Sequence, residues 1–172
     1  GLGDVYKRQG IPSFVFKAAE GTVLTCLPAE LLNDGNGAKI RGMDGPEGSC
    51  HRENLRIPHT GIRLDYTFAG GDNYVCYYPH CTFFGYRYVS ITSTGNVAIK
   101  SLKSIPVTSI AKELETGTIT TGNDLVNKLI SNTYWGQLSN YLSIPTDCPQ
   151  RDERLGWTAD THVFAATGTF FA

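Results

Sequence analysis

Between residues 145 and 160 the chain reads Pro145-Thr146-Asp147-Cys148-Pro149-Gln150-Arg151-Asp152-Glu153-Arg154-Leu155-Gly156-Trp157-Thr158-Ala159-Asp160. Four carboxylates, two arginines and a tryptophan share this short run. Such a set suits cleavage of a glycosidic bond. That reaction needs one carboxylic acid to protonate the leaving oxygen and one carboxylate to activate water or attack. Tryptophan offers an apolar face to a sugar ring, while Asp and Arg grip hydroxyls through charge-assisted hydrogen bonds. Crowded carboxylates hinder one another's ionisation, so one can keep its proton near neutral pH. The same composition also fits a solvated loop whose Arg and Asp/Glu side chains pair on the surface. Cys148 reads as structural, because His162 is the one histidine nearby in sequence.

The flanking residues must hold this loop in place. Leu125, Leu129, Ile130, Tyr134 and Leu138 recur at helical spacing. Asn123 or Thr121 can cap that helix ahead of Asp124. Ile144-Pro145 forces an extended exit, since a residue before proline avoids the helical region. Thr158 is placed to cap a second helix that runs to the end of the chain. Trp135 reads as helix packing rather than a sugar platform, and His162 as a helix-face residue.

Upstream, the period is that of strands. Phe14-Val15-Phe16 and Thr22-Val23-Leu24-Thr25 are brief β-rich runs, and residues 31–48 read as loop with turn signals at 33–37 and 44–46. Ile62 to Phe68 alternates apolar and polar residues. Gly70-Gly71-Asp72-Asn73 turns the chain into Tyr74–Tyr78. Phe84, Tyr86 and Tyr88 should line one face of a further strand, with Val89 and Ile91 on the other. Val97, Ile99 and Leu102 indicate one strand more. Short strands with Gly-rich turns point to an antiparallel sandwich.

Composition sets outer limits. The chain has 172 residues, a net charge of −1, 41% hydrophobic residues and 11% aromatics, so it can bury a core. The charge balance argues against a nucleic-acid binder or a membrane anchor built on a basic face. No apolar run approaches a membrane span of ~20 residues. Five cysteines, an odd number, suit free thiols and a reducing compartment better than a disulfide framework. Cys50-His51 with Cys76, His80 and Cys81 lacks paired zinc spacing, so no metal is expected. No cofactor is expected either.

The order of residues in the loop is more specific than its composition. Residues 145–160, extended upstream through Asn132-Thr133-Tyr134-Trp135-Gly136-Gln137-Leu138-Ser139-Asn140, closely resemble the catalytic-loop motif of bacterial α-L-rhamnosidases of glycoside hydrolase family 78. The segment Tyr78-Pro79-His80-Cys81-Thr82-Phe83-Phe84-Gly85-Tyr86-Arg87-Tyr88-Val89 is similar to the last strands of that family's sandwich. The resemblance covers about residues 20–172. It implies an α+β, multi-domain organisation: an antiparallel β-sandwich followed by the first helices of an (α/α)6 six-hairpin glycosidase barrel. It implies hydrolysis of terminal α-L-rhamnose from a glycoside or polysaccharide, with inversion. Glu153 then falls on the general acid, and Asp147, Arg151, Trp157 and Asp160 on residues that hold rhamnose. The general base would be a glutamate further downstream, outside this chain. Ala159, His162 and Cys81 depart from the residues most frequent at their positions.

Three stretches are therefore expected. Residues 1–10 should be a disordered or non-native start, since the first nine resemble translated adapter sequence. Residues 11–110 should be a partial sandwich, and 111–172 the start of the catalytic domain. Val163 to Ala172 stops inside an apolar segment, so the chain reads as a piece cut at both ends. Such a piece should be inactive alone. A non-catalytic sugar-binding sandwich and a six-hairpin glycosidase for another sugar are the alternatives.

Overall fold

The computed structural model describes residues 8–34, 45–55, 62–151, 153 and 155–172. Strand β1 (Arg8–Ala18) is the spine of the first sheet. It pairs antiparallel with β9 (Val97–Pro106) along one edge. Its other edge is shared by β6 (Val75–Tyr77) and β7 (Phe84–Tyr86). The second sheet is centred on β2 (Val23–Ala29), flanked by β5 (Leu64–Thr67) and β8 (Tyr88–Ser93). A two-strand ribbon joins β3 (Leu31–Leu32) to β4 (Cys50–His51).

The core lies between the two sheets. Phe14 and Phe16 of β1 are fully buried against Leu24 and Cys26 of β2, Phe68, and Phe84 and Tyr86 of β7. Alternation along β1 and β2 puts every second side chain inside, the signature of strands with one buried face. Tyr66 stacks edge-on against both Phe14 and Phe68, with ring centroids 5.3 and 5.0 Å apart. Such geometry suits the aromatic quadrupoles.

Two sequence expectations change here. Residues 84–91 form not one strand but two, because the chain crosses between sheets at Arg87, whose N–H donates to Ala29. Val89 and Ile91 therefore pack on the same core as Phe84 and Tyr86, not on an opposite face. Residues 8–10 also differ from the disorder expected over residues 1–10. Arg8, Gln9 and Gly10 are paired with Tyr86, Gly85 and Phe84, and Gln9 is buried. Residues 1–7 lie outside the described residues, as do 35–44 within the expected loop.

Past β9 a linker leads into the helical part. Helix α1 (Asp124–Asn140) is capped by Asn123, whose side chain accepts from the N–H groups of Leu125 and Val126. A hairpin of β10 (Tyr141–Leu142) and β11 (Ile144–Pro145) follows directly, turning at Ser143 with φ of 68°. Helix α2 (Thr158–Phe171) closes the described chain. Thr158 opens this helix rather than capping it. Trp157 holds the cap position and makes no side-chain cap bond. No described helix is long and apolar enough to cross a membrane.

Candidate active site

The loop between β11 and α2 is pinned at its neck. Thr146 forms an isolated antiparallel bridge with Gly156. The Thr146 N–H also donates to the carbonyl of Asn140 at 2.9 Å, which ties the loop to the end of α1. The sequence supplies this geometry through Pro145, which ends the hairpin strand, and through the glycine at 156.

A cavity of about 330 Å³ opens between α1, the loop and α2. Asp147 from the loop, Trp157 at the cap of α2 and Asp160 in its first turn all line it. Gln137 and Asn140 supply its floor from α1, and Tyr141 and Phe164 its apolar walls. Sequence reasoning named the first three but not the α1 residues. Their signal was the stretch 132–140, whose polar members Thr133, Gln137 and Asn140 recur at helical spacing.

Arg151 and Glu153 form a separate, tightly bonded group. Arg151 Nε donates to Glu153 Oε2 at 2.8 Å, and its Nη2 lies 2.6 Å from the same oxygen. Both side chains are largely shielded, 23% and 15% exposed. The other carboxylate oxygen, Oε1, accepts from the indole Nε1 of Trp157 at 2.9 Å. Trp157 thus belongs to both groups: it lines the cavity and holds Glu153. Asp152 and Arg154 lie outside the described residues.

Cys148 stands beside these carboxylates and donates its S–H to Asp147 Oδ2 at 2.9 Å. Burial, then the bond to Asp147 and its charge, push the thiol up to about 11. It is therefore a neutral donor at physiological pH rather than the thiolate a nucleophile requires. Ligand atoms of Asp147, Cys148 and Glu153 lie within 4.8 Å of one another, close enough for a metal ion. Within this set the Cys148 S–H donates to Asp147 Oδ2 and both Glu153 oxygens accept from N–H donors. In the sandwich, His80 stacks on Tyr78 at 4.8 Å and Cys76 and Cys81 are exposed. All five cysteines are free.

The described chain is a sandwich that leads into two helices, with a carboxylate-rich loop between them. The chain matches the bacterial alpha-L-rhamnosidase concanavalin-like domain over residues 7–110 and the six-hairpin glycosidase domain of the same proteins over 114–172. It belongs to the bacterial α-L-rhamnosidase family. An alpha-L-rhamnosidase of Streptomyces avermitilis is 38% identical over 157 residues, covering 87% of this chain and 13% of that protein. One from Formosa agariphila is 36% identical over 141 residues, covering 80% of this chain and 15% of that protein.

Solved structures agree. The S. avermitilis alpha-L-rhamnosidase complexed with L-rhamnose superposes with a TM-score of 0.73 at 35% identity, over 94% of this chain and 14% of that one. The Aspergillus terreus enzyme gives 0.78 at 29% identity, over 96% and 17%. The chain therefore spans less than a fifth of the length of these relatives.

Proposed function

We propose that the protein to which this chain belongs hydrolyses terminal α-L-rhamnose from glycosides, with inversion at the anomeric carbon. The observation that carries this reading is the cavity lined by Asp147, Trp157 and Asp160 beside the bonded Arg151–Glu153 pair. The relative complexed with L-rhamnose supports the sugar. Asp147 and Asp160 accept hydrogen bonds from ring hydroxyls, and Trp157 supplies the apolar face. Arg151 fixes the carboxylate of Glu153 through two charge-assisted contacts to Oε2.

Glu153 is the general acid. It protonates the glycosidic oxygen as the bond to the anomeric carbon breaks, while water attacks from the opposite face. Inversion requires a second carboxyl roughly 6.5–9.5 Å away to take the proton from that water. That base lies in the longer part of the family's barrel, so the 172-residue chain by itself should not turn over.

The test is turnover of p-nitrophenyl α-L-rhamnoside by the protein expressed from its complete reading frame, followed by proton NMR. β-L-Rhamnose as the first anomer supports inversion, and the α anomer would point to retention. Turnover of another sugar in place of rhamnose would keep the barrel chemistry and replace the substrate. Binding of rhamnose without turnover would favour a lectin-like module. Turnover by the 172-residue chain alone would show that the base is already present.

A further inference from the structure

The loop with Asp147, Arg151 and Glu153 rests on two residues of the other domain. Gln9 on β1 and Gly85 on β7 are partners across the first sheet. Gly85 is buried, and Pro149 and Gln150 are buried against it. A Cβ placed on Gly85 would overlap the carbonyl of Pro149 and come within 2.6 Å of the Gln150 nitrogen. No side chain fits there, so the loop backbone lies flush on the strand. Beside this contact Gln9 is only 1% exposed, and its Nε2 donates to Thr146 Oγ1 at 3.3 Å. Burying an amide is costly unless it is hydrogen-bonded. Here Nε2 bonds to the residue that closes the loop neck against Gly156, while the buried Oε1 has no hydrogen-bond partner among the described residues.

We infer that Gly85 and Gln9 are positioning residues: the sandwich seats the 146–150 stretch and thereby sets where Asp147 and Glu153 stand. The inference rests on the proposed function for its catalytic meaning, but its geometry is testable without activity. Plain domain packing would make these contacts matter for stability alone. Seating predicts that disturbing them moves the loop while the sandwich core stays closed.

Two cysteines report the difference. Cys148 lies beside Pro149 in the seated stretch, and Cys26 lies fully buried in the sandwich core. Burial comes first among the causes that push each thiol up to about 11, so both should react slowly with an alkylating reagent. The experiment is iodoacetamide alkylation of the 172-residue chain, with each cysteine quantified by peptide mass spectrometry. Gly85→Ala should speed Cys148 alkylation at least ten-fold and leave Cys26 unchanged. Gln9→Met keeps the volume and removes the amide, and should speed Cys148 a few-fold, again without Cys26.

Unchanged Cys148 in both variants would overturn the inference, as would a parallel rise of Cys26 and Cys148 in both. Should Gly85→Ala loosen the whole sandwich and open Cys26, the outcome with Gln9→Met decides alone. In the protein from the complete reading frame, Gln9→Met should also lower kcat/KM on the aryl rhamnoside several-fold with Cys26 still protected. A wild-type protein without turnover would sink the proposed function and leave the alkylation result standing.

Discussion

Trp157 and Glu153 are joined by a 2.9 Å hydrogen bond from the indole Nε1 to Oε1, while Arg151 occupies Oε2. Both oxygens of the proposed acid thus accept from N–H donors. Glutamine can accept at one of these positions only, because its other terminus is itself a donor. Glu153→Gln is therefore expected to break one of the two contacts that the ionised carboxylate makes and, in the protonated state that meets substrate, to remove the transferable proton. General acid catalysis is typically worth about 10²–10⁴-fold, so turnover of a natural rhamnoside should fall by that order. An activated aryl rhamnoside needs less protonation and should lose less. Near-wild-type turnover of the natural substrate by the variant would assign the acid elsewhere.

The same bond separates two roles of Trp157. Trp157→Phe keeps an aromatic face on the cavity and deletes the donor to Glu153. Trp157→Ala deletes both. Rhamnose affinity of the complete protein, read by calorimetric titration, should hold within a few-fold for Phe and fall clearly for Ala. The kcat should drop in both. Equal affinities in the two variants would mean that the ring face does not carry the sugar.

Which parts of this were legible in the sequence follows from where the signals are local. The loop is a contiguous string, so Asp147, Arg151, Glu153, Trp157 and Asp160 could be named before any fold was known. The start of α1 was legible to within two candidate caps, Asn123 and Thr121, since N-capping depends on residues within one turn, and Asn123 is the cap. The sheet switch at Arg87 was not, because alternation continues through it and only pairing partners reveal the change. Gln9 falls in the opening string that resembles adapter sequence, so nothing local marked it as part of the fold. Its burial comes from Gly85 and the loop, far away in the chain, and nothing near Gln9 announces them. The stripe on α1 was legible as helix from its spacing, and Leu125 and Leu129 on it are 81% and 64% exposed.

Alkaline pH should unfold this chain early. Burial, with the Asp65 charge second, pushes the Cys26 thiol from 9.0 to about 11. Burial and Asp147 do the same for Cys148, and burial with Glu115 lifts Tyr134 from 10.0 to about 12. Raised values mean that the unfolded chain loses these protons first. Between about pH 9 and 11 it binds fewer protons than the folded chain, so stability falls as pH rises. Cys26→Ala should start with a lower Tm at pH 8, from the cavity it leaves. The gap to wild type should then narrow between pH 9 and 11, because one of the titrating groups is gone. A gap that stays constant over that range would show that Cys26 does not contribute.

The helical part should be the less protected half. Leu125, Leu129 and Val163 are each more than 60% exposed, whereas Phe14, Phe16 and Leu24 are buried in the sandwich. Helices gain most of their stability from packing an apolar face, and a lone helix of this length is marginal in water. Hydrogen exchange should therefore find weaker protection over α1 and α2 than over β1 and β2. Within α1 the first turn depends on Asn123, whose Oδ1 accepts from Leu125 N at 2.9 Å and Val126 N at 3.4 Å. Asn127 reinforces it by bonding both the N–H and the carbonyl of Thr121. Losing an N-cap side chain costs about 1 kcal/mol, so Asn123→Ala should speed exchange in the first turn about five-fold. Asn123→Ser should restore most of that protection, since its hydroxyl can accept the same bonds. Equal, strong protection of α1 and β1, untouched by Asn123→Ala, would show that packing rather than the cap holds the helix.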